Sequence, residues 1–366
     1  MLRSSLAIRR ASAGALLAGM LFAFTAAAGV PAYSVADFAR VRKFDAHVHA
    51  NVEDSALLAE ARIDGFELLS INVDYPDFPP LPEQQRVAKA LAARDPARFH
   101  FATTFLMQGW REPGWAESVN AGLTRAVADG ALAVKIWKNV GMVEQDADGR
   151  YLSIEDPLFD PVIAHVRELG VALIAHQGEP YNCWLPLAEM STENDRSYFA
   201  EHPQYHMYLH PELPGYESLM AARDRFVGRH ADLPFVGAHL ASLEWNVDRL
   251  AAFLDAHPNA VVDMAARMTQ LQYQSVRDRQ RVRRFIVRYQ DRILYGTDLT
   301  EDPGSTAANT RREAHAFWRS DWRYLATMES QWIPAIRARV AGLALPRAVV
   351  RKLYYDNAER VFLRRR

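Results

Sequence analysis

The chain has 366 residues, of which 49% are hydrophobic, 24% charged and 11% aromatic, a composition that excludes a disordered or fibrous protein. The formal net charge of −1 gives no electrostatic reason to expect nucleic acid as a partner. A single cysteine, Cys183, excludes an internal disulfide and a cysteine-based zinc site.

The first 32 residues have the layout of a secretory signal peptide. Arg3, Arg9 and Arg10 form a basic start, and an apolar, alanine-rich run covers residues 15–28. Small residues then offer cleavage positions for a signal peptidase. The apolar run is shorter than the roughly 20 residues that a membrane span needs. We therefore expect a signal peptide at 1–32, one domain at 33–366, and export to the periplasm or the medium, with membrane association only if the signal stays uncleaved.

From residue 40 onward, short apolar runs alternate with longer amphipathic stretches. The apolar runs predict strands at residues 42–50, 66–73, 99–107, 132–137, 171–176, 235–239, 260–264 and 293–297. The amphipathic stretches predict helices at 82–94, 116–129, 157–169, 217–229, 244–256 and 275–289. Strands that alternate with helices indicate parallel βαβ units, and this many units in one chain predict an α/β fold of the (β/α)8 TIM-barrel type.

One connection of this barrel is predicted to be enlarged. About 40 residues rich in Tyr, His, Pro and Trp separate His176, at the end of the fifth strand, from the helix near Glu217. Loops after the carboxyl ends of barrel strands form the active-site face, so this enlarged loop after strand 5 is expected to cover the site. Its Tyr181 is a candidate for substrate binding. The stretch after Ala307 has a helical pattern, and packing against the barrel is expected for its Trp318, Trp322 and Trp332.

The strongest local motif lies in the first predicted strand, at residues 44–50. Alternate residues of a strand share a face, so Asp45, His47 and His49 point to one side and the apolar residues between them to the other. Two imidazoles side by side inside a barrel are unfavourable unless something pairs with them. A divalent metal does so, because neutral imidazole is a common ligand of zinc. Asp45 is then predicted to orient a ligand imidazole.

Other polar residues stand at the ends of later strands, where barrels place catalytic groups. They are Lys135, His176, His239, Asp298 and, just past the seventh strand, Arg267. Each has an ordinary structural alternative, such as a rim histidine, an N-cap aspartate or an ion-paired lysine. Their joint occurrence at so many strand ends favours a functional site. Arg267 suits either a substrate carboxylate or an ion pair at the rim, and Trp137 is a further candidate for substrate binding.

These motifs together resemble the amidohydrolase superfamily, and within it the amidohydrolase-related group that includes aminocarboxymuconate-semialdehyde decarboxylase. The resemblance covers residues 43–363, and its carriers are Asp45-Ala46-His47-Val48-His49, Val134-Lys135-Ile136-Trp137, Ala175-His176-Gln177-Gly178-Glu179-Pro180, Val236-Gly237-Ala238-His239 and Tyr295-Gly296-Thr297-Asp298. The resemblance implies one metal ion bound by His47, His49, His176 and Asp298, with His239 beside it as a catalytic group. In binuclear members a carbamylated lysine bridges two ions, and Lys135 occupies the matching place.

The implied chemistry is that of a metal-dependent hydrolase. Three neutral histidines and one carboxylate leave a coordination position open for water, whose pKa falls to about 7 on such a metal. Asp298 would accept the water proton, and His239 would polarise the substrate carbonyl. We expect hydrolysis of an amide, lactone or ester-like bond of a small molecule, with one zinc ion rather than two.

Two alternatives stay open from the sequence. The same ligands would serve a non-oxidative decarboxylase of a small unsaturated or aromatic acid. A catalytically silent barrel that binds a ligand is the third reading, and the intact ligand set argues against it. A homo-oligomer is compatible with the sequence.

Overall fold

The computed structural model describes residues 32–364 of the chain. The predicted signal peptide lies outside the described residues except for its last position. Among the described residues, no helix combines the length and the apolar character that crossing a membrane requires.

Within residues 32–364 the main sheet has nine parallel strands. In chain order they are β1 (Lys43–Ala50), β2 (Phe66–Ile71), β3 (Phe99–Thr104), β4 (Ala133–Ile136), β5 (Ala172–Ala175), β6 (Phe235–Gly237), β7 (Ala260–Asp263), β8 (Ile293–Leu294) and β9 (Leu299–Glu301). Each strand predicted from the sequence is present, and neighbours in the chain are neighbours in the sheet from β1 to β8.

The sheet closes on itself between β1 and the segment that contains β8 and β9. The Ala46 N–H donates to the Tyr295 carbonyl over 2.9 Å, and the Asp298 N–H donates to the His47 carbonyl over 2.8 Å. Just beyond these bonds, β9 pairs in parallel with the end of β1. Strands β8 and β9 are therefore two halves of one eighth strand, and the predicted (β/α)8 barrel is confirmed.

The helices surround this barrel. The longer ones are Ala56–Asp64, Leu81–Arg94, Trp115–Ala128, Asp160–Glu168, Glu193–Glu201, Tyr216–Arg229, Val247–Ala256, Met268–Arg288 and Ala307–Ala326, and a short helix, Arg347–Arg351, follows them. The helix predicted at 275–289 corresponds to Met268–Arg288, which begins earlier in the chain and has a kink at Asp278, where φ is −148° and ψ is 87°. Buried Met268 and Leu271 extend its apolar face upstream at helical spacing.

The tryptophans predicted to pack against the barrel do not all do so. Trp318 and Trp322 are fully buried. Trp332 is 55% exposed, which corrects the expectation. It lies on β10 (Ser330–Ile333), which pairs with β11 (Ala338–Ala341) in an antiparallel hairpin outside the barrel. Alternate residues of a strand face opposite ways, and on β10 the outward positions include Trp332.

The chain between β5 and the helix Tyr216–Arg229 forms an insertion with its own structure. It contains the helix Glu193–Glu201 and several short 3-10 turns. A small separate core of Met142, Cys183, Met190, Phe199 and Met207 holds it together. The Cys183 thiol is buried, and burial raises its pKa, so this cysteine is a packing residue.

Asp45 ties the closing seam of the barrel to the helix Ala307–Ala326. Its carboxylate accepts hydrogen bonds from the Thr297 hydroxyl at 2.6 Å and the Thr297 N–H at 3.0 Å. It also accepts the indole N–H of Trp318 at 2.9 Å. Trp318 in turn stacks on Phe66 of β2, with ring centroids 4.3 Å apart. Asp45, Thr297, Trp318 and Phe66 are all buried. If the carboxylate is removed, the donors of Thr297 and Trp318 therefore cannot form hydrogen bonds to water instead.

Replacement of Asp45 by alanine is expected to lower the free energy of unfolding by about 3 kcal/mol, because the buried donors of Thr297 and Trp318 lose their acceptor. Replacement of the fully exposed Asp54 is expected to change it by less than about 0.5 kcal/mol. Urea unfolding followed by circular dichroism measures both. Equal stability of the two variants would show that the seam does not depend on this carboxylate.

Candidate metal centre

Three side chains from β1 and the eighth strand converge at the carboxyl end of the barrel. His47 and His49 extend to the same side of β1, because alternate residues of a strand share a face. Their Nε2 atoms lie 3.3 and 3.2 Å, respectively, from Oδ1 of Asp298. Asp298 stands in the bend between β8 and β9, with a left-handed φ of 69°. The structure thus brings together three of the four predicted ligands.

Both imidazoles are fixed through their other nitrogen. Nδ1 of His47 lies 2.9 Å from Oδ2 of Asp263, and Nδ1 of His49 lies 2.7 Å from the carbonyl oxygen of Ile71. An acceptor at Nδ1 places the proton there and leaves the lone pair on Nε2, the atom directed at Asp298. Asp263 and the Ile71 carbonyl therefore set the tautomer that a metal ligand requires.

Asp263 is the functional residue that the sequence reasoning missed, and it takes the role predicted for Asp45. Within residues 32–364, Asp45 forms no hydrogen bond to an imidazole: beside Thr297 and Trp318, its one further donor there is the backbone N–H of His47, at 3.3 Å. Asp263 ends β7 and also accepts the backbone N–H of His239 at 2.8 Å. Its place at the carboxyl end of an apolar strand was the available signal.

His176 and His239 stand side by side next to this group. Their ring centroids are 4.2 Å apart, and those of His47 and His239 are 4.9 Å apart. Nδ1 of His239 lies 3.0 Å from the Ala265 carbonyl oxygen. Nε2 of His176 is buried and has no hydrogen-bond partner among the described residues. A buried polar atom without a partner is unfavourable, so the site is built for a group that the protein itself does not supply.

The backbone around His239 is strained. His239 has φ of 58°, and the three residues that follow it have φ between 54° and 55°. A non-glycine residue in the left-handed region costs about 1 kcal/mol or more, and four in succession are rare. The bond from the His239 N–H to Asp263 helps to hold this conformation. Strain of this kind concentrates at functional sites.

The electrostatics of the site suit a cation. Burial lowers the pKa of His47, lowers that of His176 strongly, and lowers that of His239 to about 3, so all three imidazoles are neutral at pH 7. Burial raises the pKa of Asp298, and the positive charge that His239 and His47 carry when protonated lowers it well below the usual range. The centre therefore presents neutral nitrogens around an ionised carboxylate, the charge state in which these groups bind metals.

The metal group forms the base of a cavity of about 400 Å³. Lys135 of β4 lies in its wall, and burial lowers the pKa of this lysine to about 8. Lys138, also in the wall, forms an ion pair with Glu179. Aromatic side chains complete the wall: Tyr75, Phe78, Trp137 and, from the insertion, Tyr198. Trp137 therefore lies in the wall of the cavity, where a residue that binds the substrate is expected.

The two remaining candidates for substrate binding are Tyr181 and Arg267. Tyr181 is not among the residues that line the cavity, and its ring stacks on Trp245, with centroids 4.4 Å apart, so a substrate contact stays a prediction for it. Arg267 is buried and forms no ion pair among the described residues. Its Nη1 donates to the Ala266 carbonyl at 3.1 Å and its Nε has no partner in the described part of the chain. A rim ion pair is thus not present, and a substrate carboxylate stays a prediction for Arg267.

The donor set fits a divalent metal such as zinc. Zinc binds histidine nitrogen and carboxylate oxygen at about 2.0–2.1 Å in tetrahedral sites, so neighbouring ligand atoms lie about 3.3–3.4 Å apart. The separations of 3.2 and 3.3 Å from Asp298 to His49 and His47 are close to that spacing. His47, His49 and Asp298 would hold the ion, and the unpartnered Nε2 of His176, which lines the same cavity, is a further candidate ligand among the described residues.

A parallel eight-stranded barrel with histidines and a carboxylate at its carboxyl end is the architecture of a metal-dependent barrel enzyme. The chain belongs to the amidohydrolase family: the family model described as Amidohydrolase matches residues 18–364. The resemblance inferred from the motifs is confirmed. The family is metal-dependent, and the chain is an enzyme of the amidohydrolase superfamily.

Three solved structures that are similar to the chain share little sequence with it. An apo protein of Agrobacterium tumefaciens is 12% identical, with a TM-score of 0.45 over 88% of this chain and 96% of that one. A 4-oxalomesaconate hydratase of Rhodopseudomonas palustris is 12% identical, with a TM-score of 0.42 over 88% and 95%. An amidohydrolase 2 of Bifidobacterium longum subsp. infantis is 12% identical, with a TM-score of 0.41 over 88% and 98%. No curated protein matches the sequence.

Replacement of Asp263 by asparagine is expected to weaken metal binding by about 10–100-fold, because the amide no longer fixes the His47 tautomer or raises its basicity. Competition with a fluorescent chelator measures the affinity. The matched change at the exposed Asp148 is expected to leave it unchanged. An unchanged affinity in the Asp263 variant would contradict the role given to this carboxylate.

Proposed function

We propose that the protein is a metal-dependent hydrolase of a small molecule with an amide, lactone or ester-like bond. The observation that carries the proposal is the convergence of His47 and His49 on Asp298 at the base of a cavity. One divalent ion, most simply zinc, suits this donor set. When bound, such an ion lowers the pKa of a water molecule from 15.7 to about 7 and so makes a nucleophile available at neutral pH.

Residues of the chain itself can transfer the proton and exclude water. Asp298 is ionised and faces both the histidines and the cavity, so it can accept a proton from the attacking water and pass it to the leaving group. The aromatic wall and Tyr198 of the insertion limit the access of bulk water.

His239 is suited to accept a hydrogen bond at Nε2 rather than to donate one. Its Nδ1 is bonded to a carbonyl oxygen, so Nδ1 carries the proton and Nε2 carries a lone pair. A donor at Nε2 would require the imidazolium, and burial lowers the pKa of His239 to about 3. This tautomer argues against the carbonyl-polarising role expected from the sequence. Lys135, a buried amine in the same wall, is the cationic group available to a developing negative charge.

A non-oxidative decarboxylase is the second candidate. The flat walls made by Tyr75 and Trp137, with ring centroids 4.9 Å apart, suit a planar molecule, and the Lys135 ammonium suits a carboxylate. Product analysis separates the two reactions: a hydrolase produces a new carboxylate or an opened ring, and a decarboxylase releases carbon dioxide.

Protein purified without added metal is expected to contain about one equivalent of a divalent transition metal per chain, most of it zinc. His47→Ala is expected to lose that metal and the hydrolysis of a lactone or amide panel, because the site keeps too few ligands. The surface variant His165→Ala is the matched control and should retain both. Elemental analysis and product chromatography provide the readouts. Absence of metal from the wild type, even after reloading, would contradict the proposal.

A second prediction concerns the number of ions. Lys135 has a pKa of about 8, so part of it is neutral near that pH and chemically able to form a carbamate. With a single ion no bridging ligand is needed, so Lys135→Met is expected to keep about one equivalent of metal, as the exposed control Lys89→Met does. Two equivalents in the wild type and one in Lys135→Met would show instead that Lys135 bridges a binuclear centre.

A further inference from the structure

A second cavity adjoins the metal cavity, and we call it the side chamber. It has a volume of about 470 Å³ and is lined, among others, by Met264, Met268, Leu299, Phe317 and Asp321. Asp298 and Thr300 line both cavities, so the two meet at the rim formed by the eighth strand. The volume lies within the range of small-molecule sites, about 300–1,000 Å³.

The helix Ala307–Ala326 gives the side chamber a polar mouth, an apolar middle and a closed end. Glu313, Phe317 and Asp321 are four residues apart, so they lie on one face of this helix. Glu313 is exposed, whereas Asp321 is buried and accepts the Tyr295 hydroxyl at 2.9 Å. Between these two levels, Phe317 lines the chamber together with two methionines, whose flexible side chains adapt to ligands of different shape.

Packing against the barrel does not explain the phenylalanine at position 317. Its side chain is 46% exposed although its helix buries Trp318 and Trp322 completely against the barrel. An aromatic ring that is half exposed inside a chamber gains free energy when an apolar group covers it. The side chamber is therefore lined for an apolar group, and it shares Asp298 and Thr300 with the metal cavity.

We propose that the side chamber binds an apolar arm, alkyl or aryl, of the same substrate whose polar bond is positioned beside Asp298. The proposal rests on the proposed function. A molecule that reaches from one cavity to the other passes the rim at Asp298 and Thr300, so its reactive group and its apolar arm are held on opposite sides of the proton-accepting carboxylate. The substrate class is thus an amide, lactone or ester with a hydrophobic substituent.

The test uses the zinc-loaded protein and a series of n-alkyl hydroxamic acids, from acetohydroxamic to octanohydroxamic acid. The hydroxamate group binds zinc through two oxygens, and the alkyl chain extends from it. Isothermal titration calorimetry is expected to show Kd falling about four-fold per added methylene until the chamber is full, as complete burial of a methylene predicts. Ala335→Phe, which places a ring in the chamber, should flatten this dependence, and Phe317→Ala should make it shallower.

The control is Tyr208→Ala, which removes an aromatic ring of similar exposure (52%) that lines neither cavity. It should leave the chain-length dependence as in the wild type. Tight acetohydroxamate binding with no dependence on chain length would overturn the side-chamber proposal and leave the proposed function standing. An undiminished dependence in both Ala335→Phe and Phe317→Ala would also overturn it, because the arm would then lie elsewhere. Failure of the wild type to hold zinc or to bind any hydroxamate would overturn both proposals.

Discussion

The seam that closes the barrel also builds the metal centre. The backbone N–H of Asp298 donates to the carbonyl of His47, and the side chains of the same two residues face each other at 3.3 Å. Closure of the sheet and convergence of the ligands are therefore one event: the register between β1 and the eighth strand fixes both. A shift of one residue would turn the histidines to the other face of β1, where Val48 and Ala50 now pack in the main core. Asp45 reinforces the register from below through Thr297 and Trp318.

Around this seam, three of the four imidazoles are held by a group from another part of the barrel. Asp263 of β7 and the Ile71 carbonyl of β2 take the Nδ1 protons of His47 and His49, and the Ala265 carbonyl takes that of His239. The protein thus fixes three tautomers before any ligand arrives. Such preorganisation leaves little to rearrange during binding or reaction, and it explains why strained backbone at residues 239–242 is tolerated there.

The substrate side of the centre comes from elements that differ in character. Strand ends supply the histidines and carboxylates, so their positions follow from the rigid barrel. The walls come from loops and from the helix Glu193–Glu201 of the insertion, which contributes Asn194 to one cavity and Tyr198 to the other. In a barrel of this kind the strand ends carry the catalytic residues and the loops determine specificity. The two cavities that meet at Asp298 follow this division.

The barrel and most of the metal centre could be predicted from the amino-acid sequence. Strand periodicity and polar residues at strand ends are local patterns, and local patterns are visible in one sequence. It predicted the eight strands, the pair His47 and His49, and Asp298 as their partner through the family resemblance. It could not assign Asp263, because which carboxylate reaches an imidazole depends on contacts 216 residues apart in the chain. For the same reason, only the tertiary structure shows that Asp45 bonds to the closing seam, that Tyr181 stacks on Trp245 and that Trp332 is exposed to solvent. The side chamber also could not be predicted from the sequence. It forms where the eighth strand, the helix Ala307–Ala326 and the insertion meet, and no local sequence pattern indicates that these elements come together.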